Sequence, residues 1–266
     1  METAGRRGCF NSQDSEGMAL PPVDNTDKEK IIMKRAWPIV VAVVCGGMVL
    51  AVAAAPQAGD RPFNGKDLTG WKPKSAKAKS YWMVGSARMD SNKPAELIVD
   101  ANGSELINAR GRGVDLYSDY TYGDAVIKAE VMVPKGSNSG IYVHGEYEIQ
   151  VLDSFGHEAK PNGGDMGAIY GAKPPTKPLY KKPGEWSTFE IHFIAPKFDA
   201  AGKKTANAKF PKIILNGRTI HEDVEMKGPT PGGVTGKEHA RGPLMFQGNH
   251  GPVAYRDIVV LPLESK

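Results

Sequence analysis

The sequence predicts an all-β protein, an antiparallel sandwich or barrel, on three observations. Short runs rich in β-branched and aromatic residues recur, each bounded by Gly, Pro, Asn or Asp. Gly 31 and Pro 20 in 266 residues suit many turns better than long helices. No segment carries a sustained helical stripe. The length allows one large or two small domains, and 40% hydrophobic with 24% charged residues is ordinary for a soluble protein with a sizeable core.

In chain order the β-rich runs are Tyr81–Val84, Glu96–Val99, Asp124–Val133, Gly140–His144, Tyr147–Leu152, Trp186–Ile194, Lys212–Asn216, Arg218–His221, Leu244–Gln247 and Ala254–Leu261. Along the third, Val126, Lys128, Glu130 and Met132 alternate with Ile127, Ala129, Val131 and Val133, as expected of a strand with one buried side. Between Leu215 and Arg218, Asn216-Gly217 supplies the positive φ values of a two-residue hairpin turn. Segments 154–165, 197–210 and 222–241 are polar and read as long loops, which on a sandwich often carry function.

The amino-terminal part is a leader. Lys34-Arg35 precedes an apolar run over 36–52, then Ala53-Ala54-Ala55 and a polar segment, the parts of a secretory signal peptide with cleavage expected after Ala55. The boundaries are therefore 1–32, a disordered extension or a misplaced start; 33–55, the signal peptide; and 56–266, the mature domain. An uncleaved anchor is the alternative, and the only route to a membrane. The domain is expected to be exported, periplasmic or extracellular. Cys9 and Cys45 both lie in the leader, so the mature domain has no internal disulfide, cysteine-held zinc or thiol nucleophile. A formal charge of +4, with its lysines scattered, lacks the dense stripe of a nucleic-acid footprint, and no nucleic-acid partner is expected.

Chemistry concentrates in residues 136–153. Side chains of a strand point to alternate faces, so Glu148, Gln150 and in some registers Glu146 share one face while Tyr147, Ile149 and Val151 take the core. Tyr142 and His144 face the same way as Glu148 if the bend at Gly145 preserves parity. Neighbours on such a face stand roughly 6.5–7 Å apart. Acids, an amide and an imidazole beside an aromatic suit a sugar, whose hydroxyls want donors and acceptors and whose C–H face wants a ring. An ordinary solvent-facing polar strand is the plainer reading. A second polar cluster, Gln247-Gly248-Asn249-His250 with Tyr255-Arg256-Asp257 after it, favours the site. Asp153 and Asp165 flank a Gly-rich loop as turn caps or calcium ligands. His157 and His239 lack zinc spacing. Trp71 and Trp186 read as core residues, with sugar stacking as the alternative. There is no P-loop and no G-x-S-x-G, and Gly111-Arg112-Gly113 lacks a strand-turn-helix context.

With these pieces assembled, the chain resembles the 3-keto-disaccharide hydrolase domain family over about 63–263. The resemblance is carried by Phe63-Asn64-Gly65-Lys66-Asp67-Leu68-Thr69-Gly70-Trp71, Asn138-Ser139-Gly140-Ile141, Tyr147–Asp153, Gly167-Ala168-Ile169-Tyr170, Gly228-Pro229-Thr230, Gln247–His250 and Val253–Ile258. It implies a concanavalin A-like jelly roll of two antiparallel sheets, and cleavage of glycosides with a ketone at C3. Glu148, Gln150, His250 and Arg256 match the family's recurring polar positions. His144 stands where many relatives have Arg, and Asp257 where many have Asn.

The resemblance implies a mechanism. A C3 ketone acidifies the C2 proton; its removal lets the C1 substituent leave by elimination, and water then adds. Glu148 is expected as base, or as a metal-coordinating acid, with His144 or His250 as acid/base partner. Tyr142, Glu146, Gln150, Asp153, Tyr170, Gln247 and Arg256 are the expected substrate contacts. A divalent cation held by His and Glu is a further option. A retaining glycosidase needs two carboxyl groups about 5–5.5 Å apart, which Glu146 and Glu148 supply only if Glu146 also faces inward. A non-catalytic carbohydrate-binding module and a cell-surface structural protein are the readings from other classes.

Overall fold

A computed structural model describes residues 59–263. The segments 1–32 and 33–55, with the cleavage expected after Ala55, lie outside them. Among the described residues the chain forms strands and no helix.

Strands β1 (Trp71–Pro73), β4 (Leu116–Tyr122), β6 (Asn138–Val143), β7 (Tyr147–Leu152) and β13 (Gly242–Phe246) make a five-stranded antiparallel sheet in the order β1-β4-β13-β6-β7. Strands β2 (Trp82–Met89), β3 (Leu97–Asn108), β5 (Ala125–Met132), β8 (Ser187–Ile194), β11 (Lys209–Leu215), β12 (Arg218–Glu225) and β14 (Val253–Pro262) make a seven-stranded one, in the order β12-β11-β8-β5-β14-β3-β2. The sequentially distant neighbours in both orders are the crossovers of a sandwich rather than a meander. A two-stranded ribbon, β9 (Lys197–Phe198) with β10 (Lys204–Ala206), lies in the segment expected to be loop.

The two sheets enclose one apolar core. Ile127, Ala129 and Val131 of β5 and Phe189, Ile191 and Phe193 of β8 join Tyr147, Ile149 and Val151 of β7 in it, as alternation requires. Aromatic rings bind the two layers: Phe246 of β13 stacks on Tyr255 of β14 at 4.1 Å and on Trp71 at 5.5 Å, and Tyr255 stacks on Trp82 at 6.4 Å. Trp71 is thus a core residue, as expected. Trp186 is not: it is half-buried beside a minor apolar cluster, with the Arg256 guanidinium 4.1 Å from its ring. The Asn216-Gly217 hairpin forms as read, with φ of 51° and 76°, joining β11 to β12.

β7 lies at the edge of its sheet, an exposed template for foreign strands unless it is covered. Residues 167–170 cover it. Gly167 N donates to Gln150 O, Gln150 N to Ala168 O and Tyr170 N to Glu148 O at 2.8, 2.9 and 3.0 Å. The same segment sets Tyr170 at the mouth of the cleft described next.

Candidate active site

On the five-stranded sheet, the face turned away from the core carries the polar residues. Tyr142 of β6 stands opposite Glu148 of β7, and Gly140 opposite Gln150. Two loops rise over this face. Residues 230–236 form one wall and the turn 247–250 the other. The cleft between them holds about 210 Å³ and is lined by Asn138, Tyr142, Glu148, Gln150, Tyr170, Pro231, Gly232, Gln247 and His250. The YEIQ strand and the QGNH turn therefore meet in one hollow. Larger hollows of about 420 and 430 Å³ lie on the other sheet, where Lys128 pairs with Glu190 and Arg256 with Glu130. What distinguishes the smaller cleft is that the YEIQ strand and the QGNH turn both line it, not its volume.

Glu148 is the one carboxylate among these lining residues. Its side chain is buried, and Oε2 accepts one hydrogen bond, from the Tyr142 hydroxyl at 2.9 Å. Burial, seconded by the negative charge of Asp115, pushes its carboxyl up to about 7 against the opposing pull of Tyr142. Its backbone N–H donates to Thr230 Oγ1 at 2.8 Å. Gly140 makes room for the acid: a Cβ there would sit 2.4 Å from Glu148 Oε1. The glycine of the NSGI motif thus has a steric reason. Gly232 has another, since its φ is +86° and a Cβ would lie 2.6 Å from the Tyr142 hydroxyl.

The walls are fastened. The Glu146 carboxylate accepts from Thr235 N and Oγ1 at 2.7 and 2.8 Å and from Gly236 N at 2.9 Å. Lys74 Nζ donates to Gly232 O at 2.6 Å and lies 3.6 Å from Asp115, whose Oδ1 accepts from Gly248 N at 3.0 Å. One lysine and one aspartate thereby link both walls.

Tyr142, Glu148, Gln150, Tyr170, Gln247 and His250 line the cleft as expected; four expected residues do not. His144 leaves the row because its φ of 56° breaks the alternation and turns the ring inward, between Tyr122 at 5.2 Å and Phe193 at 4.8 Å. Burial there pushes its imidazole down to about 4. Glu146 is engaged by the loop, so it offers no free carboxylate beside Glu148. Asp153 caps turns, accepting from Gly136 N at 2.8 Å and Phe155 N at 3.4 Å. Arg256 lies in the other sheet, paired with Glu130 at 2.7 Å. Asn138, Pro231 and Gly232 line the cleft although they were not singled out. The signals were their place in NSGI and in the long loop 222–241.

The sequence profile of the 3-keto-alpha-glucoside-1,2-lyase-like domain matches residues 61–261. The chain belongs to this family. It is thus a carbohydrate-active domain. Among solved structures, one "putative glycosyl hydrolase" from Parabacteroides distasonis is 25% identical, with a TM-score of 0.58 over 77% of this chain and 84% of that one. A second protein of that description and organism is 17% identical, with a TM-score of 0.50 over 76% and 92%, and shares the fold. No curated protein matches the chain.

In this family domain the fit to a cation is poor. Among the described residues no three His, Cys, Asp or Glu side chains converge, and the cleft offers only Glu148 and His250. Catalytic zinc takes three protein ligands.

Proposed function

We propose that this chain cleaves 3-keto-glycosides by elimination at C1, with Glu148 as the base that removes the C2 proton. The supporting observation is a lone buried carboxylate at the floor of a polar cleft, its proton affinity raised to about 7. A base poised near the working pH is the most effective proton acceptor. Glu148 takes the C2 proton, and the electron pair of that bond moves toward the C3 carbonyl to give an enolate. The enolate expels the C1 oxygen, which leaves as the aglycone alcohol after gaining a proton from His250 or water. Water then adds across the C1–C2 double bond, and the net reaction is hydrolysis. The amides of Asn138 and Gln150 donate toward the enolate oxygen. Tyr170, 39% exposed, offers its ring to the C–H face of the sugar.

The reaction is tested with purified domain, a 3-keto-glucoside and the parent glucoside. Release from the keto compound alone, lost in Glu148→Gln, is expected. Release from the parent, or from neither, would sink the idea. A non-catalytic sugar-binding module has one observation in its favour: an exposed tyrosine beside amides suffices for binding without chemistry. Retained binding with no cleavage of either compound would decide for it.

The domain works, on this reading, after export. Amino-terminal sequencing of protein recovered from the cell envelope is expected to begin at Pro56; a start at Met1 would refute cleavage.

A further inference from the structure

One hydroxyl in the cleft is claimed by two acceptors. The Tyr142 hydroxyl lies 2.9 Å from Glu148 Oε2 and 3.0 Å from Pro231 O. A hydroxyl carries one proton, and neither a carboxylate nor a carbonyl has one to give. While Glu148 is charged the two compete, and the charged acceptor makes the stronger bond. Tyr142 and Glu148 are buried but Pro231 is exposed, so a Pro231 carbonyl left without the tyrosine can turn to water.

Protonation of Glu148 reverses the assignment. The acid then has an O–H of its own, which donates to the Tyr142 oxygen. That oxygen has two lone pairs and the Gln247 amide takes one at most, so a place is free. The tyrosine's proton passes to Pro231 O. Tyr142 stays protonated throughout, because burial and the Glu148 charge push its hydroxyl well above the usual range.

Pro231 sits in the wall between two bound amides, Thr230 N on Glu146 O at 2.9 Å and Val234 N on Gly145 O at 2.8 Å. Residues 230–236 contain no titratable side chain. Around Glu148 the remaining titratable groups are Asp115 ahead of β4, with Lys74 beside it, Tyr255 of β14, and Tyr170 and His250 of the flanking segments. Among the described residues only Tyr142 is hydrogen-bonded to both the Glu148 carboxyl and the wall.

We infer that Tyr142 is a positioning residue that latches the 230–236 wall according to the protonation of Glu148: the wall is held at Pro231 when the acid carries a proton and let go there when it does not. The latch needs no ligand. In the proposed reaction the wall is then tightest at the enolate stage, while Glu148 holds the proton taken from C2, and it loosens when that proton leaves. This consequence alone rests on that reading.

Amide hydrogen exchange of Thr230 and Val234 in the intact protein, without sugar and corrected for the intrinsic effect of pH, tests the latch. Exchange is expected to be about fivefold faster at pH 8.5 than at pH 5.5, the effect of one hydrogen bond. Its midpoint is expected to coincide with the titration of the Glu148 carboxyl carbon followed by NMR. Glu148→Gln is expected to show the slow rate at both pH values, since its amide donates to the Tyr142 oxygen as the protonated acid does. Tyr142→Phe is expected to show the fast rate at both. The unaltered protein and Glu148→Gln hold the test if Tyr142→Phe fails to fold. A difference below about twofold, a midpoint apart from that of Glu148, or pH dependence that persists in Glu148→Gln and so belongs to another group such as His250, overturns the inference. A working latch without cleavage of the keto-glucoside removes the proposed reaction alone, and cleavage without a latch removes this inference alone.

Discussion

Glu148 is held in a place that disfavours its own charge, and that has consequences for stability as well as chemistry. Its carboxyl is raised from 4.5 to about 7, so between those values the folded chain holds a proton that the unfolded chain has released. This contribution to stability is present in acid and is lost as pH climbs through that window. Glu148→Gln is therefore expected to abolish turnover while stabilising the fold at pH 8 by about 2 kcal/mol, with little gain at pH 4. Thermal unfolding of both proteins at the two pH values checks this. Gly140→Ala tests the room left for the same acid. A methyl 2.4 Å from Oε1 must displace the carboxylate. Turnover is expected to fall at least about tenfold with the melting temperature nearly kept, because misplacing a reacting group costs rate steeply. His144 shows where residue-level reading stops. Its φ of 56° depends on the packing of Tyr122 and Phe193 around it, and nothing in the letters around Gly145 reveals which way that turn closes.

At the level of elements, the ten runs read from alternation and composition all became strands, with ends shifted by a few residues or more. β4 escaped notice because Ser118 and Asp119 interrupt its pattern, although Ser118 is buried and donates to Tyr120 O. The grouping of Arg256 with the QGNH turn failed for a topological reason. Phe246 ends β13 in one sheet, and Gly251-Pro252 then carries the chain across to β14 in the other. Six residues after His250 the chain is in the opposite layer. The wall-linking role of Lys74 was equally hidden, since it depends on a contact 158 residues away. Lys74→Met is expected to raise KM about three- to tenfold with a smaller change in kcat, and Lys74→Arg to restore most of it. Lys72, two residues earlier, makes only an exposed pair with Asp119 at 2.6 Å. Lys72→Met is expected to change neither constant, as exposed pairs contribute little.

For the whole molecule, Trp71 and Phe246 of one sheet stack with Tyr255 and Trp82 of the other, and of these four only Trp71 was legible in the sequence as a core residue. Phe246 is fully buried and touches the other three rings. Phe246→Ala is expected to cost about 3–5 kcal/mol in urea unfolding, through lost burial and the cavity left behind. With both cysteines outside residues 59–263, a reducing agent is expected to leave that midpoint unchanged. The fastening of the 230–236 wall by Glu146 carries one more consequence, for time rather than energy. A guest arriving at this hollow finds its shape ready, because the segment that would otherwise have to settle around it is already tied at three points. Association measured by stopped flow should then follow a single phase whose rate grows linearly with sugar concentration, without the plateau that a slow closing step imposes.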